Sequence, residues 1–292
     1  MTGRTVRRRV QRVTLPDAGG PGGASDRADI LAAEEPLGIR VDGTAISMTM
    51  RTPGDDIDLA AGFLVGEAIV SSASDIAGIK VCDGTTCGHV DHDELGNIVD
   101  VTLAPGVTVA PGARRNFLTT SACGVCGKAS IQDICVLPEA GVAADPVRVQ
   151  PAVLAVLPDR LRAAQRVFAT TGGLHAAGLF TPDGELIVVR EDVGRHNAVD
   201  KVVGRALLTG RLPLSGCILL VSGRASFELV QKAVLAGIPL LAAVSAPSSL
   251  AVELAEQAGL TLVGFLRGAS MNVYTWSHRI ATTSEVAAHS GG

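Results

Sequence analysis

The sequence predicts an α/β fold, a three-layer α/β/α domain over the second half of the chain preceded by a smaller α+β domain. Three features carry that prediction. Past residue 185, short apolar runs of strand length alternate with amphipathic stretches of helical period, the pattern of a largely parallel sheet covered on both faces. Between residues 39 and 103 the pattern is instead one of hairpins framing a single helix. A connector rich in Pro, Gly and Ala, residues 138–151, separates the two.

Taken in order, the chain opens with Arg4, Arg7, Arg8, Arg9 and Arg12 and continues through Asp17-Ala18-Gly19-Gly20-Pro21-Gly22-Gly23. That composition buries too little apolar surface to order itself, so residues 1–28 read as a flexible tail in which only 8–14 has the makings of an edge strand. The smaller domain covers 29–118. Residues 39–41 and 44–50 flank Asp42-Gly43, a dipeptide suited to positive φ at both turn positions, and predict a hairpin. From Asp55 the period changes. Ile57, Ala60, Ala61, Leu64, Val65, Ala68 and Ile69 recur at helical spacing, with Asp55 and Asp56 placed to cap the helix and offset its dipole. Residues 79–82 and 97–103 predict a second hairpin.

A cysteine-bearing loop and connector take 119–150, and the α/β domain takes 151–284. A helix is predicted over 153–170, strands over 186–189, 217–221, 240–244 and, last, 260–266, and helices over 199–208, 227–236 and 250–258. Gly237 and Gly259 stand where C′ glycines belong, and Ser226 and Ser248 where N-caps belong.

Chemistry concentrates first in Ser121-Ala122-Cys123-Gly124-Val125-Cys126-Gly127-Lys128. Glycine after each cysteine removes bulk and permits φ > 0, so both thiols can be presented at a loop tip. Arg114, Arg115 and Lys128 are close in sequence, and positive charge favours the nucleophilic thiolate. The spacing alone leaves half a zinc site, a redox dithiol and two incidental cysteines open. Cys82, Cys87, His89 and His92 share one polar loop, but their spacing does not match the usual zinc patterns and no metal site is expected. Cys135 and Cys217 sit among apolar neighbours and read as packed thiols.

In a sheet of this kind ligands bind beyond the C-terminal strand ends, at helix N-termini. Three turns suited to anions fall there: Arg190-Glu191-Asp192-Val193-Gly194-Arg195-His196-Asn197, Ser222-Gly223-Arg224-Ala225-Ser226 and Arg267-Gly268-Ala269-Ser270-Met271-Asn272. Their recurrence predicts a large phosphorylated ligand. His175 and His196 are candidates for acid–base work or for simple capping. The motifs of nucleophile-elbow hydrolases, Walker-loop NTPases and Rossmann dinucleotide binders are missing from the sequence.

Composition narrows the partners. With 18% charged residues and a net charge of −4 there is no global basic field for nucleic acid or an anionic membrane, and 3% aromatics leave few stacking platforms. Six scattered cysteines lack the density of a secreted disulfide scaffold, which points to a reducing, cytoplasmic compartment. The N-terminus has no apolar signal core, and no apolar run is long enough to span a bilayer.

Cys-Gly-Val-Cys-Gly, Thr-Gly-Gly-Leu-His-Ala-Ala, Arg-Glu-Asp-Val-Gly-Arg-His-Asn-Ala-Val-Asp-Lys, Ser-Gly-Arg-Ala-Ser-Phe-Glu and Gly-Phe-Leu-Arg-Gly, spread from residue 35 to residue 275, together resemble the FdhD family of sulfur carriers required for formate dehydrogenase. The resemblance implies a cytidine-deaminase-like α/β layer. It does not imply deaminase chemistry, because the zinc-binding signature needs Glu two residues after its His, and His175 is followed there by Ala177. It implies a cytoplasmic, homodimeric sulfurtransferase that takes persulfide sulfur from a cysteine desulfurase. The sulfur is delivered to molybdenum in a bis(molybdopterin guanine dinucleotide) cofactor, carried as cargo for formate dehydrogenase. Cys123 maps onto the persulfide carrier and Cys126 onto a supporting thiol. Phe265, Leu266, Arg267, Gly268, Ala269 and Ser270 map onto the guanine-dinucleotide segment, with Ser222, Gly223, Arg224, His175, Arg195 and His196 expected around it and a GDP or GMP moiety as a mimic of the cargo. A thiol-disulfide oxidoreductase and a non-catalytic cofactor-binding chaperone are the alternatives.

Overall fold

The computed structural model describes residues 3–16, 22–82, 96–109 and 141–281. Strand β1 (Thr5–Thr14) pairs antiparallel with β2 (Gly23–Ala32) over ten positions, from Thr5 opposite Ala32 to Thr14 opposite Gly23. Most of the flexible tail expected for 1–28 is therefore a two-stranded ladder. Charge pairing supports it where apolar burial does not: Arg9 bonds Asp26 at 2.8 Å, and at its base Arg4 bonds Asp55 at 2.6 Å while Ala33 N–H donates to the Arg4 carbonyl.

A four-stranded sheet follows, in the order β4-β3-β6-β5. Strands β3 (Glu35–Val41) and β4 (Thr44–Arg51) form the expected hairpin, with φ of 49° at Asp42 and 76° at Gly43. Strands β5 (Ile76–Val81) and β6 (Ile98–Leu103) form the second, and β6 runs parallel to β3. Helix α1 (Asp56–Gly66) lies between this sheet and the rest of the molecule. Its Asp55 and Asp56 make ion pairs instead of caps: Asp55 with Arg4, and Asp56 with the buried Arg51 at 3.0 Å.

The larger sheet has six strands in the order β12-β11-β10-β9-β7-β8. They are β7 (His175–Phe180), β8 (Leu186–Asp192), β9 (Ile218–Val221), β10 (Leu240–Ala243), β11 (Thr261–Arg267) and β12 (Ser270–Val273). Only β9, β10 and β11 run parallel to one another. Strand β7 is antiparallel to both β8 and β9, and β12 to β11, which corrects the expectation of a largely parallel sheet. Strands β7 and β12 were not foreseen. The run Ala176-Ala177-Gly178 has little β propensity, and the four residues of β12 follow β11 after a two-residue turn.

Helices α2 (Pro151–Ala164) and α3 (Arg166–Thr171) replace the single helix expected over 153–170. The break at Gln165 is held by the Glu191 carboxylate, which accepts the N–H groups of Val167 (2.9 Å) and Phe168 (2.7 Å) at the start of α3. Helices α4 (Arg195–Leu208), α5 (Phe227–Leu235) and α6 (Ser249–Ala258) cover the other face. The period-two alternation divides the strands between the two layers. Ala177, Leu179, Leu219, Val221, Leu241 and Ala243 pack toward α4, α5 and α6, and Ala176, Phe180, Ile218, Leu220, Leu240 and Ala242 toward Leu154, Leu157 and Leu161 of α2.

The first of these cores continues through α1 into Leu37, Ile39, Val99 and Val101 of the smaller sheet. Continuity depends on two glycines. A Cβ on Gly62 of α1 would lie 1.8 Å from the Asp200 carbonyl oxygen, and one on Gly204 of α4 would lie 1.8 Å from that of Asp58. The backbones of α1 and α4 thus touch where any side chain would part them. Among the described residues no helix is long and apolar enough to cross a membrane.

Candidate functional site

Because β7 is antiparallel to both β8 and β9, the C-terminal ends of β8, β9, β10 and β11 and the N-terminus of β7 lie on one rim. The turns 190–197, 222–226 and 267–270 share that rim, as the sequence predicts, and β7 adds His175. The β10 turn, 245–248, carries no charge, so sequence reasoning passed over it. It laces the neighbouring turns together: Ala225 N–H donates to the Ala246 carbonyl, Ser248 N–H to that of Ala225 and Phe265 N–H to that of Ser245.

His175 is half-buried beside Gly223, where a Cβ would lie 3.4 Å from His175 Nδ1 and 3.8 Å from Arg195 Cδ. Burial pushes the His175 pKa down, the charges of Arg195 and His196 push the same way, and Asp192 opposes them. Ser222 Oγ accepts the Ala176 N–H at 2.9 Å, which ties the Ser222 turn to β7. Next along α4, His196 Nε2 lies 3.1 Å from Ser226 Oγ and 3.6 Å from Glu228 Oε2. The nearby His196 ring outweighs burial and holds the Glu228 carboxyl down to about 2. Ser226, read as an N-cap, makes no side-chain cap bond, whereas Ser248 accepts the Ala251 N–H as foreseen. Arg195 Nε is buried and makes no hydrogen bond among the described residues.

The 265–270 segment is divided. Phe265 has φ of 51° and is exposed, Arg267 is exposed and donates to the Val244 carbonyl at 2.9 Å, and Gly268, Ala269 and Ser270 are exposed. Leu266 is fully buried in the α2-side core, so it contributes packing to this segment and no side-chain surface to a ligand. Arg224 is exposed.

Most of the first turn performs another task. Arg190 bonds Asp58 at 2.6 Å and Glu191 holds α3. Asp192, with no exposed surface, pairs with Lys201 at 2.7 Å and accepts from Thr52 N–H, Gly194 N–H and Asn197 Nδ2. Lys201 also donates to the Thr52 carbonyl, Asn197 to that of Met50, and Asp200 pairs with Lys232 at 2.6 Å. These contacts clamp the smaller sheet to the larger, and only Arg195 and His196 of that turn are left to serve the rim.

Sequence reasoning also missed Arg279, fully buried and donating to the carbonyls of Val142, Ala143, Asp145 and Gly259. Its only sequence signal is an arginine in a segment without helical or strand period.

Cys123, Cys126, Arg114, Arg115, Lys128, Cys135, Cys87, His89 and His92 lie outside the described residues. Cys82 is fully buried and disulfide-bonded. Cys217 is half-buried, and burial pushes its thiol up, away from the thiolate. Among the described residues no group of three or more His, Cys, Asp or Glu could hold a metal.

The chain resembles known proteins over nearly its whole length. It is 59% identical over 285 residues to the sulfur carrier protein FdhD of Streptomyces avermitilis, covering 97% of this chain and 98% of that one. To that of Mycobacterium tuberculosis it is 55% identical over 255 residues, 87% and 92% of the two chains. The crystal structure of a putative formate dehydrogenase accessory protein from Desulfotalea psychrophila superimposes with a TM-score of 0.72 at 24% identity, over 95% of this chain and 99% of that one, and shows the same fold. The FdhD/NarQ family model matches residues 32–281, from the end of β2 to just past Arg279, and the chain belongs to that family.

Proposed function

We propose that the protein is a sulfurtransferase that carries sulfur as a persulfide on Cys123 for the activation of formate dehydrogenase. The observation that carries this reading is 59% identity, over 97% of the chain, to a protein named a sulfur carrier. In the loading step the Cys123 thiolate attacks the outer sulfur of a cysteine desulfurase persulfide, the S–S bond breaks, and the desulfurase thiolate leaves. Cys126 assists or protects the loaded sulfur. Cys217 is a poor rival carrier, since its half-buried thiol is disfavoured as a thiolate.

The cargo that receives the sulfur is the molybdenum of a bis(molybdopterin guanine dinucleotide) cofactor, written here as substrate. The rim suits such an anionic nucleotide: Arg195 is partly exposed, Arg224 and Arg267 are exposed, and Gly223 leaves the backbone open beside His175. The proposed assembly is a cytoplasmic homodimer that meets the desulfurase and formate dehydrogenase in turn.

The test is mass spectrometry after incubation with a cysteine desulfurase and cysteine. A gain of about 32 Da, one sulfur, is expected on Cys123, is lost in Cys123→Ala and persists in Cys126→Ala. A wild-type protein that gains no sulfur would be a cofactor-binding chaperone, and one that only forms a Cys123–Cys126 disulfide would be an oxidoreductase.

A further inference from the structure

We propose that the outer edge of β1 takes up an extended acidic segment of a partner protein as a third strand. The β1–β2 ladder ends at residue 32, where the family match begins, so this surface is additional to the fold the family shares. In a two-stranded sheet each strand pairs along one edge and leaves the other open. The end of β2 packs by α3, where a Cβ on Gly173 would meet that of Ala32 at 3.7 Å, whereas every residue of β1 except Val10 is exposed. A ladder of two strands with both faces in water is marginally stable by itself, and an open edge is a template for a further strand.

Charge decides which strand that is. Arg4 is engaged by Asp55, Arg9 by Asp26 and Arg27 by Asp29. Arg7, Arg8 and Arg12 are exposed and make no ion pair among the described residues. By the alternation of a strand, Arg7 lies on one face of the ladder and Arg8 and Arg12 on the other, so an arriving strand meets cations on both. A second copy of β1 would set arginine against arginine, and like charges opposite one another destabilise a ladder. A strand carrying Asp and Glu makes opposite-charge pairs across the ladder instead, with main-chain hydrogen bonds along its length. The second face also holds Val6, exposed beside its cross-strand partner Leu31, and the ladder carries Asp26 and Asp29. Apolar side chains and carboxylates among the arginines suit a polypeptide better than a phosphate backbone.

Fluorescence anisotropy of a labelled peptide of alternating Glu and Val, titrated with the full chain, tests this. The peptide is expected to bind, to lose affinity as salt is added, and to protect the amides of β1 from hydrogen exchange. Arg7→Gln, Arg8→Gln and Arg12→Gln made together are expected to weaken binding roughly ten-fold. The urea midpoint of that variant should stay close to that of the wild type, since none of the three arginines is paired, which reports an intact fold. The same peptide with all its backbone nitrogens methylated keeps its charge but loses its donors, and is expected not to bind. Equal binding of the methylated peptide would show attraction of charge alone and overturn the inference. It is overturned equally by a wild type that does not bind the acidic peptide, by tighter binding of an oligouridylate of the same charge, or by a changed oligomeric state in the triple variant, which would assign β1 to a contact between copies.

Discussion

At the scale of the residue, His175 shows how the rim sets protonation. Burial is the largest cause of its lowered pKa, so the folded state favours the neutral ring while the unfolded chain titrates at its usual 6.5. Its contribution to stability is complete above 6.5 and is lost as the pH falls from there through the lower folded value, because the unfolded state then binds the extra proton. His175→Gln is therefore expected to lose less stability than the wild type between about pH 7.5 and about pH 5.5, measured as the shift of the urea midpoint. An identical pH dependence in the two proteins would show that His175 is not held neutral.

At the scale of the element, the contact between α1 and α4 depends on two residues with no side chain. A methyl group on Gly204 meets the Asp58 carbonyl oxygen at 1.8 Å, and neither backbone can yield without disturbing the ion pairs at its ends. Gly204→Ala is expected to cost about 3 kcal/mol or more in chemical denaturation. Gly78→Ala, with nothing within 4 Å of the new carbon, is expected to change stability far less.

The same elements show what the sequence could disclose. The β3–β4 hairpin was legible because Asp42-Gly43 names its turn, α4 because of its apolar period, and α5 and α6 because apolar period and C′ glycine are both local signals. The rim was legible in the positions of its turns. The direction of β7 was not, since pairing partners leave no mark in a run of Ala and Gly, and the β1–β2 ladder was hidden by a composition that reads as a tail. The 190–197 turn was legible as polar, but the division between clamp and rim depends on contacts with Thr52, Met50 and Asp58 more than a hundred positions away.

At the scale of the whole molecule, a core that runs from the smaller sheet through α1 to the larger one, with the Asp192–Lys201 pair bridging to Thr52, makes the two sheets one cooperative unit. Thermal unfolding is expected as a single transition. Lys201→Met leaves Asp192 buried without its cation and is expected to lower stability by about 3–5 kcal/mol without splitting that transition. Two resolved transitions in the wild type would show that the sheets unfold independently.

Arg279 imposes an order on the making of this molecule. The Val142 carbonyl that its guanidinium satisfies is 137 positions earlier in the chain, and those of Ala143 and Asp145 are nearly as far. A nascent chain delivers that connector long before the arginine exists, and until then its carbonyls lack the guanidinium that joins them. The guanidinium joins the connector to the start of β11 only once residue 279 has left the ribosome, so the seam between the first and last parts of this region is completed in a step for which folding waits on the C-terminal portion.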